Sequence, residues 1–160
     1  MGSKALYDFI DHNEMIEMYP VNHMNDPYVI GQNDRMVSIN SCLEIDLYGQ
    51  VASEAIGLEQ FSGTGGQVDY LRGAKRSRGG RSILAFTSTA KGGTVSRIVP
   101  VLPPGATVTS GRNEVDYIAT EYGAVRLRGL TLRERALALV SIAHPDFRPG
   151  LMAAIEERFS

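Results

Sequence analysis

The chain has 160 residues, 43% hydrophobic and 21% charged, with 17 glycines, 7 prolines and a formal net charge of -2. That length supports a core that takes roughly 70% of the unfolded chain's surface out of water, so no disulfide or metal staple is needed. Interspersed, near-balanced charge excludes an electrostatic footprint for nucleic acid or an anionic membrane, and the single cysteine, Cys42, excludes an internal disulfide framework or a cysteine-based zinc cluster. No apolar run approaches the roughly 18 residues of a spanning helix, and no apolar segment of signal-peptide type follows Met1-Gly2-Ser3-Lys4. The expectation is one domain over residues 1–160 in a reducing cytoplasm, with Cys42 a small core residue. Met1 to Ser3 also fits a cloning remnant at the head of an excised fragment.

In chain order, Leu6, Phe9 and Ile10 have helical spacing behind a Ser3 cap, and Asn13 closes that helix. Ile16 to Val21 reads as a strand. Asn25-Asp26-Pro27 is a helix start, because proline suits a first turn where its missing N–H has no partner to lose; this helix runs to about Gln32. Met36 to Ile39 and Cys42 to Leu47 read as strands, Tyr48-Gly49-Gln50 as a turn, and Val51 as the start of a returning strand. Ser62-Gly63-Thr64-Gly65-Gly66 is a glycine loop feeding a helix marked by Val68, Leu71 and Ala74. Ser82 to Phe86 reads as a buried strand, Lys91-Gly92-Gly93 as a turn, Val95 to Leu102 as a strand, and Pro103-Pro104-Gly105 as a rigid corner. Strands follow at Ala106 to Ser110 and Val115 to Thr120. Thr131 and Glu134 form a capping box for a helix whose apolar face is Leu132, Ala136, Leu139, Val140 and Ala143; His144-Pro145 ends it, and a last helix runs from Pro149 through Ile155. Helices alternating with strands, several of them consecutive in mid-chain, predict an α/β fold: an open mixed sheet with flanking helices.

Few constellations carry chemistry. Gly63, Gly65 and Gly66 lack the Cβ that would keep a ligand or developing anion away from backbone N–H groups, so the loop is either an anion or oxyanion site or a tight structural turn. It is not a dinucleotide or P-loop fingerprint, since position 68 is Val and no Gly-Lys-Ser/Thr follows. The 3 histidines, His12, His23 and His144, have no metal-ligand spacing, and His144 reads as a helix C-terminal cation or cap rather than a catalytic base. No metal site is expected. Glu44 and Asp46 share one strand face, either as an acid/base pair or, the better prior, as a solvated face. Lys75, Arg76, Arg78 and Arg81 either meet phosphate groups or form a solvated surface.

Longer strings together resemble the C-terminal domain of the acetyl-CoA hydrolase/transferase family, particularly its 4-hydroxybutyrate and butyrate:acetate CoA-transferase branch. They are Asn25-Asp26-Pro27, Met36-Val37-Ser38-Ile39-Asn40-Ser41, Glu44-Ile45-Asp46-Leu47-Tyr48-Gly49-Gln50-Val51 and Phe61-Ser62-Gly63-Thr64-Gly65-Gly66-Gln67-Val68-Asp69. Ser88-Thr89-Ala90-Lys91-Gly92-Gly93, Ser96-Arg97-Ile98-Val99-Pro100, Thr120-Glu121-Tyr122-Gly123, Arg133-Glu134-Arg135-Ala136 and Ile142-Ala143-His144-Pro145-Asp146-Phe147-Arg148 continue the match in order.

The resemblance implies one half of a CoA-transferase and ping-pong acyl transfer. In it, a glutamate carboxylate attacks an acyl-CoA thioester, forms an acyl-glutamyl anhydride and then a glutamyl-CoA thioester, and passes CoA to another carboxylate. The family's nucleophilic glutamate lies upstream of the matched segment, so an N-terminal half absent from this chain is expected to supply it, and the chain alone is expected to be inactive. By the same resemblance Gly66 supplies a backbone N–H to the thioester carbonyl oxygen. Asn25 hydrogen-bonds the catalytic glutamate, the bland alternative being a helix N-cap. Gly63, Gly65, Gln67 and Lys91 belong to the CoA-binding side, Gly65 and Gln67 by shaping the loop and Lys91 by meeting CoA phosphates or else by lying in a solvated turn. CoA or acyl-CoA enters as substrate and no permanently bound cofactor is expected. The implied partners are acyl-CoA, a carboxylate, the N-terminal half and a further copy of the protein in a homo-oligomer.

Overall fold

The computed structural model describes residues 2–159; Met1, which belongs to the expected remnant, and Ser160 lie outside them. Helix α1 (Lys4–Ile10) begins where Ser3 Oγ accepts the Leu6 N–H at 3.2 Å, and it buries none of its residues. The strand expected over Ile16 to Val21 does not form. No described strand pairs with it, and Pro20, at φ -58, instead opens the short helix α2 (Val21–Met24). Helix α3 (Pro27–Gly31) follows at once, with Pro27 in its first turn and Asp26 as its cap.

The main sheet has the order β1-β6-β10-β11. Strands β1 (Val37–Asn40), β6 (Arg81–Ala85) and β10 (Tyr117–Thr120) are parallel, in the register Ile39↔Ile83↔Tyr117, and β11 (Gly123–Arg126) returns antiparallel beside β10. Between β1 and β6 the chain makes an excursion through β2 (Glu44–Asp46), β3 (Val51–Ala52) and the hairpin of β4 (Ala55–Ile56) with β5 (Glu59–Gln60), then returns through α4 (Gln67–Arg76). A second hairpin joins β7 (Thr89–Ala90) to β8 (Val95–Ser96) around Lys91-Gly92-Gly93, and β9 (Ile98–Val99) pairs parallel with β2 to complete a three-stranded sheet, β3-β2-β9.

The single strand expected from Val95 to Leu102 is therefore two, because Arg97 is where the chain changes partners. Its N–H bonds to Ser88 O at 2.9 Å, while its C=O accepts from Ile45 N at 2.9 Å in the other sheet. Of the strand expected over Ala106 to Ser110, only a bridge between Ser110 and Val51 forms. Helix α5 (Leu132–Ser141) carries the expected Thr131–Glu134 capping box, and α6 (Arg148–Phe159) starts one residue before Pro149 and runs past Ile155. His144 is not the C-terminal cap expected of it: Ile142 closes α5, and His144 instead caps the start of the 3₁₀ turn Pro145–Phe147, accepting the Asp146 N–H, because Pro145 opens a new turn directly after it.

One apolar core joins these parts. Ile45, Val51 and Ile98 from the small sheet, Leu84 and Ile118 from the main sheet, Leu71 from α4, Leu139 from α5 and Ile155 from α6 are all nearly or wholly withdrawn from solvent. Cys42 is among the core residues, as expected. Helix α4 covers β1 and β6, and α3 packs on α4. A Cβ at Gly73 in α4 would lie 2.4 Å from Ile30 Cγ2 and 2.5 Å from Ile30 Cβ, so the close approach of α3 requires a glycine there. Gly73→Ala gains ~1 kcal/mol in helix propensity but overpacks a contact whose nearer atoms cannot swing away, at about 1–3 kcal/mol or more. Urea unfolding is expected to show a net loss of stability.

Candidate functional site

The Asn25 segment and the glycine loop meet at the N-terminus of α4. Asn25 closes α2, its N–H bonding to Val21 O at 2.8 Å, whereas Asp26 caps α3 by accepting the Tyr28 N–H at 2.8 Å. The N-cap role that competed for Asn25 thus falls to Asp26, and the Asn25 carboxamide makes no hydrogen bond among the described residues. It lies against Gly66 instead, so close that a Cβ on Gly66 would stand 2.4 Å from Asn25 Nδ2. Gly66 is the N-cap of α4 with no side-chain cap, its own N–H has no partner among the described residues, and Gly65 before it takes φ +57. Two donors without a partner among the described residues therefore lie side by side at one cleft.

The cleft in front of them has a volume of about 500 Å³ and is lined by Val21, Asn22, Asn25, Asp26, Gly65, Gly66 and Asp69. None of these is basic. Two carboxylates beside a helix N-terminus disfavour a phosphate, while N–H and carboxamide donors suit an oxygen that becomes negative only during a reaction. Within the anion-or-oxyanion reading of the glycine loop, this lining speaks against a phosphate; it does not bear on the tight-turn reading.

The other candidates fall elsewhere. Gly63 is exposed with nothing within 4 Å of a Cβ placed on it, and it does not line the cleft. Gln67 turns inward, is buried, and donates from Nε2 to Ser110 Oγ at 3.0 Å. Lys91 sits exposed at φ +50 in the turn between β7 and β8, away from the cleft lining. In the basic cluster Arg78 pairs with Asp34, Lys75 Nζ reaches Asn113 O at 3.4 Å, and Arg76 stacks over Tyr28 at 3.9 Å.

Glu44 and Asp46 do share a face, but not a solvated one: they are 7% and 0% exposed. Alternation alone could not reveal that β2 is covered on both sides. Asp46 is a turn-former, its Oδ1 accepting from Tyr48 N at 3.0 Å and Gln50 N at 2.9 Å. Glu44 Oε2 has no partner, and burial raises its pKa against the opposing pull of Arg97. Burial likewise pushes the Cys42 thiol up to about 12, which leaves it inert as a nucleophile.

Sequence reasoning gave no role to Glu121. Ser88 donates to its carboxylate from N at 2.8 Å and from Oγ at 2.6 Å. Burial works to raise its pKa, but the Ser88 hydrogen bonds, helped by His144, outweigh it and hold the carboxylate below the ordinary range. A serine and a glutamate 33 residues apart offer no local signal of such a pair. Among the described residues no group of His, Cys, Asp and Glu is placed to hold a metal, and no helix is long and apolar enough to cross a membrane.

Comparison with known proteins decides the family. The model of the acetyl-CoA hydrolase/transferase C-terminal domain matches residues 2–155. The chain belongs to this family. It is 59% identical to the 4-hydroxybutyrate coenzyme A transferase of Clostridium kluyveri over 159 residues, which is 99% of the chain and 37% of that relative. Among solved structures, the 4-hydroxybutyrate CoA-transferase from Porphyromonas gingivalis superposes with a TM-score of 0.83 at 61% identity, and RipA from Yersinia pestis with 0.92 at 47%; each match covers 99% of the chain and 36% of the other protein. The chain thus spans little more than a third of the length of these relatives, and the α/β architecture is that of CoA-transferases.

Glu44 supplies a test of the buried face. A folded-state pKa above the unfolded value means that stability falls as pH rises through the folded-state pKa. Glu44→Gln is therefore expected to stabilise the protein, with a gain over wild type in thermal melts that is larger above the ordinary carboxylate range than at its acid end; a constant or shrinking gain would show that folding does not raise the Glu44 pKa.

Proposed function

We propose that this domain forms one wall of the active site of a CoA-transferase moving CoA between a short-chain acyl-CoA and a carboxylate such as acetate, butyrate or 4-hydroxybutyrate. The observation that carries this reading is the pairing of the unused Gly66 N–H with the uncommitted Asn25 carboxamide, in a cleft without basic residues. Gly66 donates to the thioester oxygen as it becomes an oxyanion, while the carboxamide holds the attacking carboxylate. A glutamate from the rest of the protein attacks the carbonyl and releases CoA thiolate. The thiolate then attacks the glutamyl carbonyl of the anhydride, releasing the first carboxylate and leaving a glutamyl-CoA thioester. None of this chain's own glutamates lines the cleft. The names of the relatives, which are CoA-transferases, support the same reaction class.

Exposed apolar groups support a second half packed over this face. Phe9, Met15 and Met18 precede the cleft residues with 64%, 91% and 93% of their surfaces exposed, Val21 in the lining itself is 70% exposed, and Val37 and Ile39 point outward from β1. So many large apolar side chains along one short arm are costly to leave in water. The N-terminal half of the same protein is the proposed cover, in a cytoplasmic homo-oligomer, with Gly65 shaping the loop and Lys91 reaching CoA phosphates from the rim.

Butyryl-CoA and acetate, supplied to this chain and to the full-length protein with borohydride trapping, separate the alternatives. Transfer and trapping in the longer protein alone are expected. Turnover by this chain would place the nucleophile among its own carboxylates. Release of free CoA without an acceptor would identify a hydrolase, and CoA affinity without chemistry in either protein a binding module. In the full-length enzyme, Gly66→Ala keeps the backbone N–H but sets a methyl group against Asn25 Nδ2, and by misplacing the carboxamide and the donor together is expected to lower kcat by about 100-fold. Asn25→Ala leaves that donor in place and is expected to cost less.

A further inference from the structure

We propose that Gln67 and Ser110 form a latch that positions the Gly66 N–H, making both of them positioning residues; this rests on the oxyanion role of Gly66 proposed above. Among the described residues, apart from a short-range bond from Gln60 Nε2 to Ser62 O at 2.6 Å and the contact of Asn25 with Gly66, the glycine loop is tied to the rest of the fold on its two sides. Upstream, Phe61 N and Ser62 N bond to Glu54 O at 2.7 and 3.3 Å. Downstream, Gln67 Nε2 donates to Ser110 Oγ at 3.0 Å across 43 residues of sequence. Between them Gly63 and Gly65 touch nothing within 4 Å of a Cβ, and Ser62 Oγ bonds only to the neighbouring Gly63 O. A glycine-rich run with open space where side chains would stand takes much of its orientation from its ends.

The downstream end is joined directly to Gly66 and is tied to the core. Ser110 exchanges two backbone hydrogen bonds with Val51, at 3.0 and 3.1 Å, and Val51 is wholly buried in β3. Beside it, Thr109 Oγ1 accepts from Ser53 N at 2.9 Å, so the Thr109-Ser110 segment is fixed to β3 on both residues. Gln67, the first residue of α4, thereby transmits the position of the small sheet to the peptide next to the donor. An oxyanion donor must stand within a few tenths of an ångström of its place, so loosening this tie acts on the transition state rather than on ground-state CoA affinity.

The test uses the full-length protein with Gln67→Met, Ser110→Ala and their combination. Each single variant is expected to lower kcat by about 10-fold or more, with KM for the acyl-CoA nearly unchanged, because a misplaced group costs rate even when the ligand still binds. The combination is expected to be no worse than either single change, since both break one bond. Hydrogen–deuterium exchange over residues 62–68 is expected to quicken in every variant while exchange in α5 stays constant. A raised KM at unchanged kcat would overturn the latch by making Gln67 a direct ligand contact, and multiplying losses or unchanged loop exchange would overturn it as well. A parent protein without transferase activity would sink the proposed function alone, leaving the exchange measurement to decide the latch.

Discussion

Helices α3 and α4 approach as closely as they do because residue 73 carries no side chain, leaving room for Ile30. The segment before α3 is thereby brought to the N-terminus of α4, where a second missing side chain, at Gly66, receives Asn25. Shape rather than charge makes this contact. At Gly73, in the packed interior, a methyl group would have to displace buried Ile30, whereas at Gly66, on the cleft, it would push aside the end of the Asn25 side chain. The parallel pairing of β1 with β6 supports the arrangement from below, since α4 lies across both strands.

Much of the buried polar chemistry serves architecture. Arg97 crosses between the sheets, donating to Leu43 O at 2.8 Å, Thr87 Oγ1 at 3.1 Å and Cys42 O. Arg135 in α5 reaches Arg112 O at 2.9 Å and lies against Gly49, where a Cβ would sit 3.0 Å from Nη1. Asp116 holds Arg126 and Arg128 where β11 leaves β10. Buried backbone carbonyls in a fold of short strands need partners that ladders cannot supply, and long guanidinium groups provide them. Several of the strings shared with the family, those around Asp46, Arg97 and Arg135 among them, are accounted for in this way without reference to substrate.

Two carboxylates, Asp26 and Asp69, line the cleft and disfavour a phosphate, while in the proposed function its N–H and carboxamide groups donate to a carbonyl oxygen. Negative charge that appears only in the transition state is stabilised by fixed dipoles that need not reorganise. In the proposed function the domain contributes donors rather than the nucleophile, and Cys42, whose pKa burial pushes up to about 12, is no candidate for one.

Local patterns settled by side-chain chemistry within a few residues were legible in the sequence: the Pro27 helix start, the Thr131–Glu134 capping box, the turn at Gly49 and the glycine loop feeding α4. The family strings also put Asn25 and Gly66 in one site. What the sequence could not contain is which partner each short extended segment finds. Residues 16–20 stay unpaired, Val95 to Leu102 divides at Arg97, Ala106 to Ser110 keeps one bridge, and β11 forms with no alternating pattern to announce it. The same holds for burial, which hid Glu44 and turned Gln67 toward Ser110. Caps and turns are fixed by neighbours in sequence, whereas strand pairing and the covering of a face depend on groups tens of residues away, and only the packed core brings those together.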